Sequence, residues 1–169
     1  NAYHVFEECK DSKALYFGFK EQPLPIEDMQ RIFARMKECG KRTVLEVVEY
    51  TEAEGLEGAK MAAVCGCDVL MGTCYHESIH RFCQQHKIDY MPFVGSIVGR
   101  PSILQGSIES MVEEAIRLKK MGVFGIDLLG YRYDANAEQL ISEIVSKTNM
   151  PVCVAGSIDS YERLQFVKD

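Results

Sequence analysis

The chain has 169 residues and a net charge of −6, with 47% hydrophobic and 26% charged residues. This composition is typical of a soluble globular protein of one domain and excludes a largely disordered chain. The negative charge argues against nucleic acid as the main partner, and no apolar run approaches the roughly 20 residues of a membrane span.

Six short apolar runs recur along the chain, and each is followed by a helical pattern. The runs are rich in Val, Ile, Leu, Phe and Tyr, which is typical of strands. They span residues 14–20, 43–49, 68–73, 89–94, 123–129 and 151–155. Helices are predicted over residues 26–39, 52–65, 77–86, 137–147 and 160–168. A further helix is predicted to run to Met121, with Ser107 as its cap and Gly122 after its end. This alternation predicts parallel βαβ units in one α/β domain, residues 1–169.

The polarity of the strand faces favours a (βα)8 TIM-type barrel over a doubly wound open sheet. Strands in an open parallel sheet are covered by helices on both faces, whereas barrel strands can carry polar groups on their inner face. Three predicted strands have one apolar face and one face with a glycine or a charge, where Lys20, Glu46 and Asp127 lie. Six strands do not close an eight-stranded barrel, so we expect the first and eighth strands to be absent. Open strand edges invite pairing with another chain, and a homo-oligomer is one expected form.

Lys20, Glu46 and Asp127 are the candidate catalytic residues. Active sites of such barrels lie at the C-terminal ends of the strands. A carboxylate in a partly dry interior can act as an acid or a base, and a neighbouring lysine can stabilise a developing oxyanion. We predict that the two carboxylates converge with Lys20 near one of them. A purely structural ion pair is the alternative, and the residues alone leave both open.

The segment from Gly125 onward resembles a known family. Residues 125–131 (GIDLLGY) and 151–158 (PVCVAGSI) are similar to the sixth and seventh βα units of N-acetylmannosamine-6-phosphate 2-epimerase, in the ribulose-phosphate-binding barrel group. The resemblance covers about a quarter of the chain. Ala155 stands where that family has an acidic residue and Ser157 where it has an arginine, and residues 43–50 lack its third-strand lysine. The resemblance implies a phosphate-binding barrel and a small phosphorylated ligand, but not the same reaction.

The candidate ligand-binding residues combine this resemblance with loop composition. Gly156 and Ser157 precede a helix that Asp159 is predicted to cap, and they could present backbone N–H groups to a phosphate. A plain βα turn is the alternative interpretation. The long loop of residues 95–106 contains Arg100, a candidate partner for phosphate or carboxylate, with a solvated arginine as the alternative. Gly130 and Tyr131 match the Gly-Tyr of the family.

We predict an enzyme that acts on a small phosphorylated metabolite, most simply an epimerase or isomerase that uses carboxylate acid–base chemistry. An aldolase-type lyase, a phosphoribosyltransferase and a non-catalytic phosphosugar-binding regulator remain open as alternatives. No cofactor and no metal are expected. Residues 74–83 hold two cysteines and two histidines, but free cysteine is commonly a small buried apolar residue. The seven cysteines indicate free thiols in a reducing cytoplasm.

Overall fold

The computed structural model describes residues 2–21 and 24–168. The chain divides into two compact units, residues 1–90 and 91–169, and the grouping of both into one domain stays a prediction. All six predicted strands are present, with bounds within a few residues of those expected. Within the described ranges, no helix has the length and apolar character needed to span a membrane.

The first unit alternates helices with parallel strands. Its helices are α1 (Ala2–Cys9), α2 (Ile26–Glu38), α3 (Glu52–Val64) and α4 (Glu77–His86). Its strands are β1 (Tyr16–Lys20), β2 (Arg42–Val47), β3 (Val69–Gly72) and β4 (Asp89–Met91), whose last residue begins the second unit. The four strands lie in the sheet in sequence order.

Helices α2 and α3 of the first unit bury different kinds of side chain. α2 buries Met29, Ile32, Phe33 and Met36, the helical spacing seen in the sequence. α3 instead buries small residues, including Gly55 and Gly58. A Cβ atom on Gly58 would overlap the side chain of Val47, so the missing side chain lets α3 approach β2 closely.

The second unit contains a hairpin and a further parallel pair of strands. Its strands are β5 (Ser96–Val98), β6 (Ile103–Gln105), β7 (Ile126–Leu128) and β8 (Val152–Val154). Its helices are α5 (Ile108–Met121), a 3-10 turn at Gly130–Arg132, α6 (Ala137–Thr148) and α7 (Tyr161–Lys168). Strands β5 and β6 are antiparallel, and β7 and β8 are parallel. The segment 95–106 is therefore a hairpin rather than the long loop expected.

The ends of α5 follow the sequence signals. Ser107 Oγ accepts a hydrogen bond from the Ser110 N–H at 3.1 Å, and Gly122 ends the helix in the left-handed conformation.

The strand order contains no reversal in either parallel sheet, unlike a doubly wound sheet. Among the described residues, β1 pairs only with β2 and β8 only with β7. These two strands therefore each keep one open edge within that part of the chain.

Candidate functional site

Lys20 and Glu46 lie side by side on neighbouring strands. The parallel register of β1 and β2 pairs their Cα atoms directly, and adjacent strands run about 4.8 Å apart. Phe19 stacks on Phe33 of α2 with 4.7 Å between ring centroids, and Val47 packs against α3. Because side chains alternate along a strand, Lys20 and Glu46 occupy the face opposite these helices.

Glu21, directly after β1, is a buried carboxyl group that the sequence pattern did not single out. Its side chain is 7% exposed, and its Oε2 has no hydrogen-bond partner among residues 2–21 and 24–168. Burial raises the pKa of Glu21; backbone N–H groups and Lys20 oppose this shift, and the charge of Glu49 adds to it. The Glu21 N–H donates to the carbonyl of Glu46 at 3.0 Å. This carboxyl group therefore stands at the C-terminal end of the sheet, suited to proton transfer.

Asp127 is the middle residue of β7 and is fully buried. Its register partner on β8 is Cys153. Val154 of β8 and Ile141 of α6 crowd the same point beside Gly130, so Asp127 and Cys153 face away from α6 by alternation. The two other candidate catalytic residues belong to the first unit, and the convergence of all three stays a prediction.

The loop after β8 carries two successive residues with positive φ. Gly156 has φ +84° and Ser157 has φ +41°, and a non-glycine residue in that region is uncommon outside constrained loops. A Cβ atom on Gly156 would lie 2.7 Å from Cγ and 3.1 Å from Cδ of Arg132. The glycine thus lets the Arg132 side chain lie across the loop.

Arg132, in the 3-10 turn after β7, places a positively charged side chain beside this loop. Its side chain is half-buried and makes no hydrogen bond or ion pair with another residue of the described part of the chain. A guanidinium group in such a place is ready to bind an anion, because it offers several N–H donors and a permanent charge.

A second arginine, Arg163 of α7, reaches the same loop. Its Nη1 donates to the Ser157 carbonyl at 2.6 Å and to Asp159 Oδ1 at 2.9 Å. Its Cζ lies 4.6 Å from the ring centroid of Tyr131, within the range of a cation–π contact. Burial raises the pKa of Tyr131, and its hydroxyl group has no hydrogen-bond partner among the residues described.

The predicted cap of α7 is wrong by one residue. Ser160 Oγ accepts from the Arg163 N–H at 3.3 Å, and Asp159 instead forms the ion pair with Arg163. α7 begins at Tyr161, so the side chain at the N-cap position is that of Ser160. The N-terminus of this helix adds a favourable field for an anion at the loop.

The two remaining predicted ligand residues occupy different positions. Gly130 is buried, and a Cβ atom there would lie 2.9 Å from Ile141 and 3.0 Å from Val154. Its observed contribution is close packing against α6 and β8. Arg100 is exposed in the turn of the β5–β6 hairpin, and its role in ligand binding stays a prediction.

The base of the hairpin is tied to the turn after β7. Tyr133 Oη donates to the Gly106 carbonyl at 2.7 Å, and the Asp134 N–H donates to the Leu104 carbonyl at 3.1 Å. The hairpin and the turn that carries Arg132 therefore form one connected structure.

A shallow depression of about 310 Å³ adjoins the Gly156–Ser157 loop. It is lined by Ile158, Asp159, Ser160, Tyr161 and Leu164. Its walls are mainly apolar, with Asp159 as the charged member. The depression gives room beside the loop for the non-ionic part of a ligand.

Of the two histidines in residues 74–83, His80 belongs to a packed polar–aromatic cluster with Tyr75 and Tyr90. His80 Nδ1 lies 3.3 Å from Tyr75 Oη, and Tyr90 Oη lies 2.7 Å from Thr73 Oγ1. Burial raises the pKa of Cys83 to about 12, which disfavours the thiolate that a metal needs. In the described ranges, no group of three or more His, Cys, Asp or Glu residues is placed to hold a metal ion.

Comparisons with known proteins show likeness in structure rather than in sequence. No family model matches the chain, and no curated protein matches it. A glycerol uptake operon antiterminator regulatory protein from Listeria monocytogenes is similar with a TM-score of 0.64 and 14% identity, over 99% of this chain and 82% of that protein.

Two solved structures from Thermotoga maritima are similar at 16% identity. A glycerol uptake operon antiterminator-related protein has a TM-score of 0.55, over 91% of this chain and 80% of its own. A monomeric form of dimeric phosphoribosylanthranilate isomerase has a TM-score of 0.53, over 90% of this chain and 81% of that protein. These likenesses confirm the predicted fold class, α/β of the (βα)8-barrel type. They show the fold alone, and the resemblance to the ribulose-phosphate-binding group and to N-acetylmannosamine-6-phosphate 2-epimerase rests on the sequence motifs.

Proposed function

We propose that this protein binds a small phosphorylated metabolite at the Gly156–Ser157 loop and acts on it as an epimerase or isomerase. The observation that carries the proposal is Arg132, which lies across Gly156 without an acidic partner in the part of the chain described. A phosphate there would receive the guanidinium N–H groups together with the field of the α7 N-terminus.

Arg132 and Arg163 can compensate for an arginine that this sequence lacks relative to the family it resembles. That family has an arginine at the position of Ser157. Here Arg132 from the turn after β7 and Arg163 from α7 both contact the same loop. The guanidinium group that position 157 lacks is thus brought to the loop from neighbouring elements, with Arg132 free of an acidic partner among the described residues and Arg163 paired with Asp159. This supports retention of a phosphate ligand.

The proposed chemistry is proton abstraction next to a carbonyl group. A carboxylate removes the proton, and a cationic or hydrogen-bonding group stabilises the enolate oxygen that forms. Glu46, with Lys20 beside it, can supply both functions in the first unit, and buried Asp127 is the candidate base in the second. Glu21 is added as a candidate acid because of its burial and raised pKa.

A second candidate function is regulation by ligand binding without turnover. Ala155 and Ser157 replace charged residues of the family that the sequence resembles, and two of the similar structures are described as antiterminator regulatory or related proteins. An aldolase-type lyase or a phosphoribosyltransferase would use the same phosphate site with other chemistry. Within the described residues, β1 and β8 each pair along one edge only, which supports a homo-oligomer. The seven free cysteines support a cytoplasmic location.

The test is a panel of phosphorylated aldoses, ketoses and amino sugars with native protein and with Arg132→Gln. Binding is measured by calorimetry. Conversion is followed by the exchange of a carbon-bound proton of the substrate for deuterium in heavy water. The control is Arg117→Gln, which removes an exposed arginine of α5 with a side-chain exposure of 65%. We expect binding and exchange that only Arg132→Gln weakens. Binding without exchange across the panel would favour the regulatory function, and no binding at all would contradict the proposal.

A further inference from the structure

We propose that Asp159 sets the anion affinity of the Gly156–Ser157 loop by holding Arg163 in an ion pair with which an incoming phosphate must compete. This inference rests on the proposed function, because it concerns the same loop. It assigns to Asp159 a role in selecting the charge of the ligand.

Arg163 binds the loop and the Asp159 carboxylate at the same time through one guanidinium nitrogen. The group already contacts the loop, because Nη1 donates to the Ser157 carbonyl at 2.6 Å. The same nitrogen donates to Asp159 Oδ1 at 2.9 Å, and the ring of Tyr131 lies against the guanidinium carbon. Arg163 is therefore held at the loop with its charge directed to a carboxylate, the group that a phosphate would replace.

Asp159 is not needed to begin the helix. Ser160 occupies the N-cap position and accepts the hydrogen bond from the Arg163 N–H. The Asp159 side chain is 68% exposed and that of Arg163 is 37% exposed, so their ion pair contributes little to stability. The exposed Asp159 carboxylate beside the loop instead repels an anionic ligand and occupies Arg163, the second arginine of the loop.

The charge balance of the loop follows from these contacts. With Asp159 ionised, the charge of Arg163 is compensated. Arg132 is then the arginine at the loop that has no acidic partner among the described residues. One uncompensated positive charge suits a ligand group with a single negative charge. Neutralising position 159 frees a second guanidinium group, and two such groups suit the doubly charged form of a phosphate monoester. Asp159 thus selects against high negative charge on the ligand.

The experiment compares inorganic phosphate binding by native protein, Asp159→Asn and Glu162→Gln, measured by calorimetry at about 0.15 M salt, where the Debye length is about 8 Å. Glu162 is an exposed acidic residue in the first turn of α7, so its variant changes the net charge equally. We expect Asp159→Asn to tighten binding by about threefold to fivefold, the upper part of the range for an exposed ion pair. Glu162→Gln should change it by less than about twofold, since charges in water are strongly screened.

A cycle with Arg163→Gln tests the mechanism. If Asp159 acts through Arg163, the added substitution Asp159→Asn should give no comparable gain in the Arg163→Gln background. Unchanged or weaker binding by Asp159→Asn, or an equal gain with Glu162→Gln, would overturn the inference while leaving the phosphate site intact. Absence of phosphate binding by native protein and Asp159→Asn alike would instead refute the proposed site, and this inference with it.

Discussion

Replacing Gly156 by alanine tests whether the close approach of Arg132 to the loop matters for ligand binding. The new Cβ atom would lie 2.7 Å from Arg132 Cγ and 3.2 Å from its Nε, so the side chain must move. The residue also has φ +84°, a left-handed conformation that costs alanine at least about 1 kcal/mol more than glycine. The variant therefore combines backbone strain with displacement of the guanidinium group.

Gly122→Ala is the matched control. Gly122 has φ +90°, and its Cβ atom would meet nothing within 4 Å. This variant pays the backbone strain alone. At about 1 kcal/mol, each substitution should lower Tm by about 2–4 °C in a protein of this size.

The two variants should differ in phosphate binding. We expect Gly156→Ala to weaken it by at least about tenfold, since a charge-assisted hydrogen bond contributes about 1.5–3 kcal/mol. Gly122→Ala should bind phosphate as the native protein does. Calorimetry and thermal unfolding separate the two effects. Native affinity in Gly156→Ala, or an equal loss in both variants, would refute the assignment of Arg132.

Three further predictions follow from the same structure. Ser157→Asp should abolish the rise in Tm that phosphate causes, because it adds a negative charge to the loop, and a persistent rise would count against the site. Glu21→Gln should match native protein in urea stability below pH 4.5, the usual pKa of glutamic acid. It should become the more stable of the two as the pH rises through the raised pKa of folded Glu21, because native protein loses stability as that buried group ionises. An equal pH dependence in both proteins would show that the burial of Glu21 does not affect its ionisation. Glu46→Gln should lower turnover by roughly 10²–10⁴ while the fold is kept; lower stability with unchanged activity per folded molecule would make Glu46 structural.

The elements that follow local patterns were predictable from the sequence. The strand runs, the Ser107 cap and the glycine end at Gly122 are determined by residues within a few positions of one another. The β5–β6 hairpin was missed because each strand has three residues, too few for an alternation to stand out between glycines. Its pairing depends on contacts across the turn rather than on local preference.

Some residues of the site could be recognised from the local sequence, whereas others come together only through the fold. The Gly156–Ser157 turn was visible as a motif, whereas Arg132 and Arg163 look like ordinary solvated charges in the sequence. Arg132 reaches Gly156 only because β7 and β8 are neighbours. The spacing of Asp159 and Arg163, four residues apart, was a usable local signal for their ion pair. The burial of Glu21 depends on packing, which its neighbours in the sequence do not reveal.

An amide NMR titration of the native protein with inorganic phosphate tests whether the Gly156–Ser157 loop binds an anion. We expect saturable shifts that are largest at Gly156, Ser157 and the N-terminal turn of α7, together with the Nε–H signal of Arg132. The same titration of Arg132→Gln should show weaker shifts at these positions. Saturable shifts centred elsewhere, or none at this loop, would contradict the claim that the Gly156–Ser157 loop binds a phosphate group.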